Sequence, residues 1–543
     1  MIGYELSNPA TDDEWPTFRW DLPETFNVAD VCLDHPAART ALRYVDEFGD
    51  ETALTYGDIE RAVADAAAAL SARDIGKGDA VGVCLPQCPE LLVVHLATLS
   101  RGGVVVPLSM LLGDEHAGHA LDHADASALV VDRAKADELS IRTPPETVVV
   151  EPEPARERDA LGGLGGTLVT DEDASSDQAR LHTVETTPDD PAFVLYTSGT
   201  TGAPKGVVQG HRYLIGSLPG YQCWFELFDR EAAAESRAWT PAEWAWAGAL
   251  FDVVYPTLVM GGTVVARERR SGFDPERASR LVDRTGVTHT FLPPTALGKF
   301  RTGGDLDRLD SLRVINCGGE ALPTDLRRWT EETLDVVVNE AYGQTEANAL
   351  VGECWAAYPA REGAMGKPYP GHDVLVVDDD GDPVPDGEVG RIALDPDDPV
   401  LFLEYLDDPE ATAEAYFDNG LFDTGDLAVR DDDGYLYHRG RADDLIITSG
   451  YRVSPLEVEN ALATHSDVAA AVVAGVPDEH RGERVAAVVV PNGREGDDAF
   501  RDELEHRVRD RLGAHKAPRE IRFRSTIPET RTGKADRDAV FDR

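Results

Sequence analysis

The stretch Tyr196-Thr-Ser-Gly-Thr-Thr-Gly-Ala-Pro-Lys-Gly-Val207 gathers three kinds of group that suit an anion. Its glycines let the backbone fold tightly enough to aim N–H groups at an oxyanion. The hydroxyls of Thr197, Ser198, Thr200 and Thr201 add neutral donors, and Lys205 adds a point charge. The apolar run Phe193-Val-Leu-Tyr196 just before it reads as a buried strand that delivers the loop. This is not a Walker A sequence, because Lys205 follows Pro204 and precedes Gly206, not Ser or Thr. The chemistry implied is a grip on a polyphosphate. A second glycine-adjacent lysine, Lys534, closes Pro528-Glu-Thr-Arg-Thr-Gly-Lys534 near the end of the chain.

These two lysines stand out against an acidic background. The 543 residues hold 100 Asp and Glu against 51 Lys and Arg, a formal net charge of −49, and only seven of the cations are lysines. A field this negative repels nucleic acid and anionic membranes, so neither is expected as a partner. Disorder is not expected either, since apolar residues make up 42% and recur throughout. The acidity suggests adaptation to high intracellular salt, where screening weakens carboxylate self-repulsion.

The six cysteines form no CxxC pair and no zinc spacing, so they read as small core residues in a reducing compartment. The segment Met1-Ile-Gly-Tyr-Glu-Leu-Ser lacks the basic and apolar regions of a signal peptide. The longest apolar region, 90–112, is broken by His95, Arg101-Gly-Gly103 and Pro107, too often for a membrane span. A cytoplasmic protein is expected.

The elements that must carry the loop alternate. Thr55-x-x-Asp58 starts a helix whose apolar stripe is Ile59, Val63, Ala66 and Leu70. The strand Ala80-Val-Gly-Val-Cys-Leu85, a helix over 90–100 and the strand Gly103-Val-Val-Val-Pro107 follow, then a polar helix and Ala128-Leu-Val-Val131. Nearly all-apolar strands alternating with helices predict a parallel sheet covered on both faces. Residues 151–190, rich in Glu, Asp, Gly and Ser, read as a solvated connector. A second α/β stretch runs from His211 to about Val338, with strands at Gly262–Ala266, His289–Leu292 and Leu312–Asn316. Short strands at Asp373–Val377, Gly390–Leu394 and Tyr435–His438 then suggest a small antiparallel β unit, and a compact α/β segment closes the chain. The fold class is α/β: a large N-terminal domain, 1–440, of two parallel-type subdomains plus the small β unit, then a small mobile α/β domain, 441–543.

Four further motifs fall in order. They are Gly318-Gly-Glu-Ala-Leu322, Glu340-Ala-Tyr-Gly-Gln-Thr-Glu346, Thr424-Gly-Asp426, and Arg441-Ala-Asp-Asp444 running on to Ser449-Gly-Tyr-Arg452. With the loop and Lys534, the chain from about Phe26 to Val540 resembles the adenylate-forming superfamily of acyl-CoA synthetases, luciferases and peptide-synthetase adenylation domains. Its texture is similar to the medium-chain acyl-CoA synthetases.

That resemblance implies ATP, CoA and Mg²⁺ as cofactors. Thr197, Ser198, Gly199, Thr200, Thr201, Gly202 and Lys205 would hold the β- and γ-phosphates. Gly319 and Glu320 would lie where backbone approaches the adenine. In the segment Glu340, Ala341, Tyr342, Gly343, Gln344, Thr345, the Tyr342 ring would lie against the base, and Thr345 would touch phosphate or acyl oxygen. Glu346 would help hold the metal. The residue types agree: a π face, a hydroxyl donor and a hard oxygen ligand. Asp426 would accept from the ribose hydroxyls and Arg441 contact ribose or phosphate, with Arg452 a second nucleotide-side arginine. Asp443 takes the hinge position. Ser449, Gly450 and Tyr451 would face the pantetheine arm, with Arg481 a further CoA contact. Lys534 matches the catalytic lysine.

The implied reaction joins a small-molecule carboxylic acid to CoA through acyl-AMP, releasing pyrophosphate. Trp239–Gly248 and Phe251 fall where the resemblance implies the acyl pocket, with Trp244 and Trp246 as its wall. A Trp-rich wall suits an apolar acid or caps a short one, and a fatty or related organic acid is expected. Asp252 is a candidate for the aspartate that amino-acid-activating relatives use, although alignment on Pro256 and Gly261 puts Trp246-Ala247 at that position. Two alternatives stay open: transfer of the acyl group to a carrier protein or other acceptor, and a nucleotide-binding relative without catalysis. A Ser/His/Asp hydrolase lacks its GxSxG elbow.

Overall fold

The computed structural model describes residues 18–141, 144, 146–152, 155, 181–197, 204–268, 272–449, 451–478, 481–528 and 537–541. The side chain of Arg452 and most of the 151–190 connector lie outside this description. By compactness the chain divides into two units, Met1–Asp373 with Asp395–Glu414, and Val374–Leu394 with Ala415–Arg543.

The first unit holds two sheets. In the seven-stranded sheet, Pro191–Thr197, Val104–Pro107, Ala80–Cys84, Ala128–Asp132 and Glu146–Val150 run parallel. Their central strands are buried along their whole length, which explains the continuous apolar runs. The expected helix start at Thr55 is present: Thr55 and Asp58 form a reciprocal capping box at the head of Tyr56–Ser71. Ile59, Val63, Ala66 and Leu70 all face inward, as their spacing requires. The next helix, Pro89–Ser100, is buried at every residue, in keeping with its apolar character all round.

The nine-stranded sheet has a parallel centre of Thr40–Val45, Thr263–Arg267, Arg237–Trp239, His289–Phe291, Val314–Gly318 and Val337–Gln344. Antiparallel strands flank it: Glu51–Thr55 on one edge, Asn348–Gly352 and Lys367–Pro368 on the other. Alternation along Val314–Gly318 sends Ile315 and Cys317 into one core cluster and Val314 into another.

The second unit contains the small antiparallel sheet expected from the Gly/Pro/Asp punctuation. Its strands are Val374–Val377, Val389–Leu394, Phe422–Arg430 and Leu436–Arg441. This sheet groups with the C-terminal elements, not with the two parallel-centred sheets. Ile446–Thr448, Tyr451–Val453, Val468–Asp478, Gly482–Pro491 and Glu520–Phe523 form a further five-stranded sheet. Period-two alternation gives it two faces. Val473, Val485, Ala487 and Val489 pack with Phe500, Leu504 and Val508 of the helix Asp498–Leu512. Val472, Ala474, Ala486 and Val488 pack with Val540 and Phe541. Burying each large apolar side chain of such a core stabilises it by roughly 1.5–3 kcal/mol.

No helix among the described residues is long and apolar enough to cross a membrane. All six cysteines are buried free thiols.

Candidate functional site

The hydroxyl-rich loop is slung between two antiparallel strands. Pro191–Thr197 enters it and Lys205–Gly210 leaves it, with Thr197 opposite Lys205 in the ladder. Ser198, Gly199, Thr200, Thr201 and Gly202 lie outside the described residues. Lys205 is therefore the first residue of a strand, with its backbone fixed by sheet pairing rather than by the loop. Its side chain is exposed, and the ammonium sits 4.7 Å from the centre of the Tyr405 ring.

Tyr405 arrives there through a two-residue strand, Glu404–Tyr405, that pairs with the Lys205 strand. Backbone bonds from Leu403 to Val208 and from Leu406 to Gly206, each 2.8 Å, clamp the segment on both sides. The Tyr405 hydroxyl then donates to Glu346 Oε1 at 2.8 Å. One side chain thus touches the predicted phosphate lysine and the predicted metal carboxylate. Sequence reading missed it, because a two-residue strand carries no periodicity.

The segment Glu340–Glu346 leaves the sheet as a bulged hairpin, with the irregularity between Tyr342 and Gly343. A Cβ built on Gly343 would collide with the carbonyl oxygen of Asn348, so only glycine fits. Asn348 is itself held in the left-handed region at φ 41°. The Thr345 carbonyl accepts from Gln209 Nε2 at 2.6 Å and from the Tyr213 hydroxyl at 3.0 Å, which fixes the threonine from below. Tyr342 is half-buried and Gly343 exposed at the tip.

The Glu340 carboxylate is engaged within the fold. Its Oε1 accepts from the Leu322 N–H at 3.0 Å, and Arg327 approaches its other oxygen at 3.4 Å. The carboxylate thereby ties the Gly319–Glu320 turn to the adjacent strand. Arg327 also bonds Glu353 at 2.6 Å, and Glu353 accepts from the Glu340 N–H at 2.8 Å. Burial pushes the Glu353 carboxyl up to about 7, with Arg327 opposing the shift. Gly319 takes a positive φ of 82°, and a Cβ there would meet open space, so backbone at this turn is accessible.

Of the expected acyl wall, Trp244 is buried and lines a narrow cleft with Leu85, Met110, Trp239, Arg267 and Phe273. Trp246 is half-buried and precedes the short helix Ala247–Ala249. Asp252 lies in a wide π-turn, Leu250–Val254, and is buried.

In the second unit the ribose-type motif is assembled. Asp426 stands opposite Arg441 in the ladder, with Arg441 Nη1 3.6 Å from its carboxylate. His438 Nε2 reaches the other oxygen at 3.0 Å. Arg441 also pairs with Asp443 at 3.2 Å, so the predicted hinge aspartate lies beside the predicted nucleotide arginine. Gly425 adopts φ 72°, and a Cβ there would meet the Arg441 guanidinium. His438 was not foreseen: it pairs with Ala428, two residues on from Asp426, and only the register irregularity between Leu427 and Ala428 brings it to the Asp426 face.

Two of the predicted CoA residues, Ser449 and Arg481, meet within this unit. Ser449, at φ 51°, donates its N–H to the Arg481 carbonyl at 2.9 Å, and Arg481 Nη1 reaches Ser449 Oγ at 3.4 Å. Tyr451 is exposed, its ring 4.8 Å from that of His515. Gly450, the Arg452 side chain and Lys534 lie outside the described residues.

Comparison with known proteins follows the same outline. Residues 28–406 match the AMP-binding enzyme family, and residues 457–534 match the AMP-binding enzyme C-terminal domain. The chain is 36% identical over 490 residues to a feruloyl-CoA synthase of Amycolatopsis sp, covering 89% of this chain and 92% of that protein. It is 32% identical over 522 residues to the uncharacterized acyl-CoA ligase YtcI of Bacillus subtilis (strain 168), covering 95% of each. Among solved structures, ATP-bound MatB from Rhodopseudomonas palustris superposes with a TM-score of 0.81 at 26% identity, covering 95% of this chain and 98% of that one.

Proposed function

We infer the activity from one premise, that this chain belongs to the AMP-binding enzyme family: it is an ATP-dependent, AMP-forming ligase that joins a carboxylic acid to CoA. The observation that carries the reading is the Lys205–Tyr405–Glu346 arrangement, a cation and a hard carboxylate brought to one tyrosine, with the cation closing the hydroxyl-rich sequence motif. Relatives whose names specify CoA products support CoA as the acceptor.

In the first step the substrate carboxylate attacks the α-phosphate of ATP, giving acyl-AMP and pyrophosphate. No protein nucleophile is required; the chain positions the reactants and neutralises developing charge. Lys205 and the Thr197–Gly202 loop hold the departing phosphates. Tyr342 and the Gly319–Glu320 turn bracket the base, and Thr345 donates to the reacting phosphate or acyl oxygen. Lys534 bridges the carboxylate and the α-phosphate. Mg²⁺, when bound with the nucleotide, adds neutralising charge on the polyphosphate. Glu346 fits it as one hard oxygen ligand, and a metal that keeps waters and phosphate oxygens needs few protein ligands. Among the described residues no group of three or more His, Cys, Asp or Glu side chains is placed to hold a metal.

In the second step residues 441–543 rotate about Asp443, withdrawing Lys534 and presenting Ser449, Gly450, Tyr451 and Arg481 to CoA. The CoA thiol attacks the acyl carbon and AMP leaves. Asp426 and Arg441 contact the ribose or phosphate, and Arg452 is a second nucleotide-side arginine. Buried free thiols suit a reducing compartment, which supports the cytoplasm.

The test is exchange of labelled pyrophosphate into ATP across a panel of acids at high salt, with product release followed with and without CoA. Acid-dependent exchange and CoA-dependent turnover are expected. Multiple turnovers without CoA would sink the choice of acceptor, and no exchange with any acid would sink the ligase reading.

A further inference from the structure

We propose that Asn316 and Asp252 form a polar subsite that recognises a neutral hydroxyl group on the acid being activated. The proposal rests on the ligase reading and narrows its substrate to hydroxylated organic acids.

Asn316 is fully buried in the middle of the strand Val314–Gly318, and neither its Oδ1 nor its Nδ2 has a hydrogen-bond partner. Buried amides without partners are uncommon, and each calls for an explanation. The neighbouring strand supplies a control. Asn339, paired with Asn316 in register, bonds the Trp224 carbonyl at 3.0 Å and Glu226 at 2.8 Å through its amide nitrogen. Two asparagines side by side thus share a face, and only one is satisfied.

That face looks toward the helix Arg212–Phe225. Gly318, two residues on, lies against Trp224, where a Cβ would sit 3.4 Å from the indole. On the other side Asn316 is paired with Phe291, whose ring packs 5.2 Å from Trp224. The Phe291 ring in turn faces Gly248. A Cβ there would lie 3.5 Å from Phe291 Cε1 and 3.3 Å from Asp252 Oδ2. Glycine at 248 therefore keeps a gap between the phenyl ring beside Asn316 and the Asp252 carboxyl.

Asp252 is linked to the reaction segment. The Asn348 side chain lies beside its carboxyl and opposes the effect of burial, while Asn348 Nδ2 donates to Ser217 Oγ at 2.6 Å. Asn348 follows Thr345-Glu346-Ala347 directly. The subsite is thus walled by the segment proposed to hold the acyl-adenylate.

The donor set selects the ligand. Burial pushes the Asp252 carboxyl up to about 8, so at neutral pH it is mostly protonated and offers both a donor and an acceptor. Asn316 offers the same pair. A hydroxyl, which donates and accepts, satisfies both residues. An alkyl chain leaves the amide as it stands, and an ammonium requires the carboxyl to ionise in an apolar setting. Such sites reject the analogue lacking the hydroxyl far more strongly than an apolar pocket rejects a missing methylene.

The experiment is acid-dependent pyrophosphate exchange by the full chain on matched pairs: cinnamate against para-hydroxycinnamate, and octanoate against omega-hydroxyoctanoate. At least one hydroxylated member should exceed its parent by about 100-fold or more in kcat/KM. Asn316→Leu should bring that ratio to about one or below by raising activity on the unsubstituted acid, a gain that a misfolded variant cannot mimic. Asp252→Asn, still neutral and polar, should keep much of the preference that Asp252→Leu loses. The proposal is overturned if unsubstituted acids, including short ones such as acetate, are preferred. It is also overturned if an amino acid is the best substrate, or if Asn316→Leu leaves the ratio unchanged. Absence of exchange with every acid is a different signature, which removes the ligase reading and the subsite with it.

Discussion

The Tyr405 hydroxyl donates a 2.8 Å hydrogen bond to the Glu346 carboxylate, while the face of the same ring lies 4.7 Å from the Lys205 ammonium. Tyr405 is in this reading a positioning residue, orienting a metal ligand and a phosphate contact together. Tyr405→Phe keeps the ring under Lys205 and removes the hydroxyl that bonds Glu346. The Mg²⁺ concentration for half-maximal exchange should rise by about 10-fold or more, the scale for losing an outer-shell partner. Tyr405→Ala should in addition raise the KM for ATP. A Phe variant with an unchanged Mg²⁺ dependence would remove Tyr405 from this role.

Lys534→Ala separates the two half-reactions. Acyl-AMP formation should fall by about 100-fold or more, the scale for one preorganised electrostatic group. Thioester formation from supplied acyl-AMP should largely persist, because the lysine is withdrawn in that step. Rapid-quench measurement of each half decides it; equal losses would show that the lysine is misassigned.

Arg327 is the charge on which a buried and a half-buried carboxylate depend, at 2.6 Å from Glu353 and 3.4 Å from Glu340. Removing one partner of such a cluster strands the others, so Arg327→Ala should destabilise the first unit by about 3–5 kcal/mol. Chemical denaturation with a probe in that unit reads the loss. Arg327→Ala combined with Glu353→Gln should recover part of it, since one of the stranded charges is then absent.

Asp252 gives a pH signature. Its folded pKa, about 8, lies above the ordinary value of 3.8, so the folded state holds the proton more tightly than the unfolded chain. Its stabilising contribution is complete below pH 3.8 and is lost as pH rises toward 8. Against Asp252→Asn, the parent should lose up to about 1.4 kcal/mol per pH unit across that window. Unfolding free energies of both proteins at pH 5, 6, 7 and 8 measure the difference; parallel curves would mean that the carboxyl is not protonated in the fold.

A formal net charge of −49 predicts salt dependence of the whole molecule. The thermal midpoint should fall steeply as KCl is lowered from molar concentrations to about 0.1 M, as the screening length grows to about 10 Å. A midpoint independent of KCl would remove the halophilic reading.

Much of this was legible in the chain itself wherever one local rule governed. Thr55 and Asp58 made their capping box, and the apolar runs at Ala80, Val104 and Ala128 became buried parallel strands. Motif residues expected together were found together within a unit, as with Asp426, Arg441 and Asp443, or Ser449 and Arg481. What stayed hidden depends on pairing between distant segments. Tyr405 has no signal of its own and acquires a role only because a two-residue strand joins the edge of a sheet. Glu340 sits in the nucleotide motif, yet its carboxylate is committed to Leu322 and Arg327, a contact set by two neighbouring strands. Asn316 looked like one polar residue in a strand, and only burial without partners singles it out. The small antiparallel sheet was foreseen, but its grouping with the C-terminal elements depends on packing that composition does not encode.

The pairing of Thr197 with Lys205 gives the lysine a parity. Side chains in a strand alternate between faces, so the direction of Lys205 is set by whether an even or odd number of residues separates it from the rest of the ladder. Point substitutions along Gly206–Gly210 leave that count intact. Inserting a single residue within the strand would turn Lys205 to the opposite face from Tyr405, and inserting two would turn it back. The chain can therefore tolerate drift in composition at this edge far more readily than drift in length.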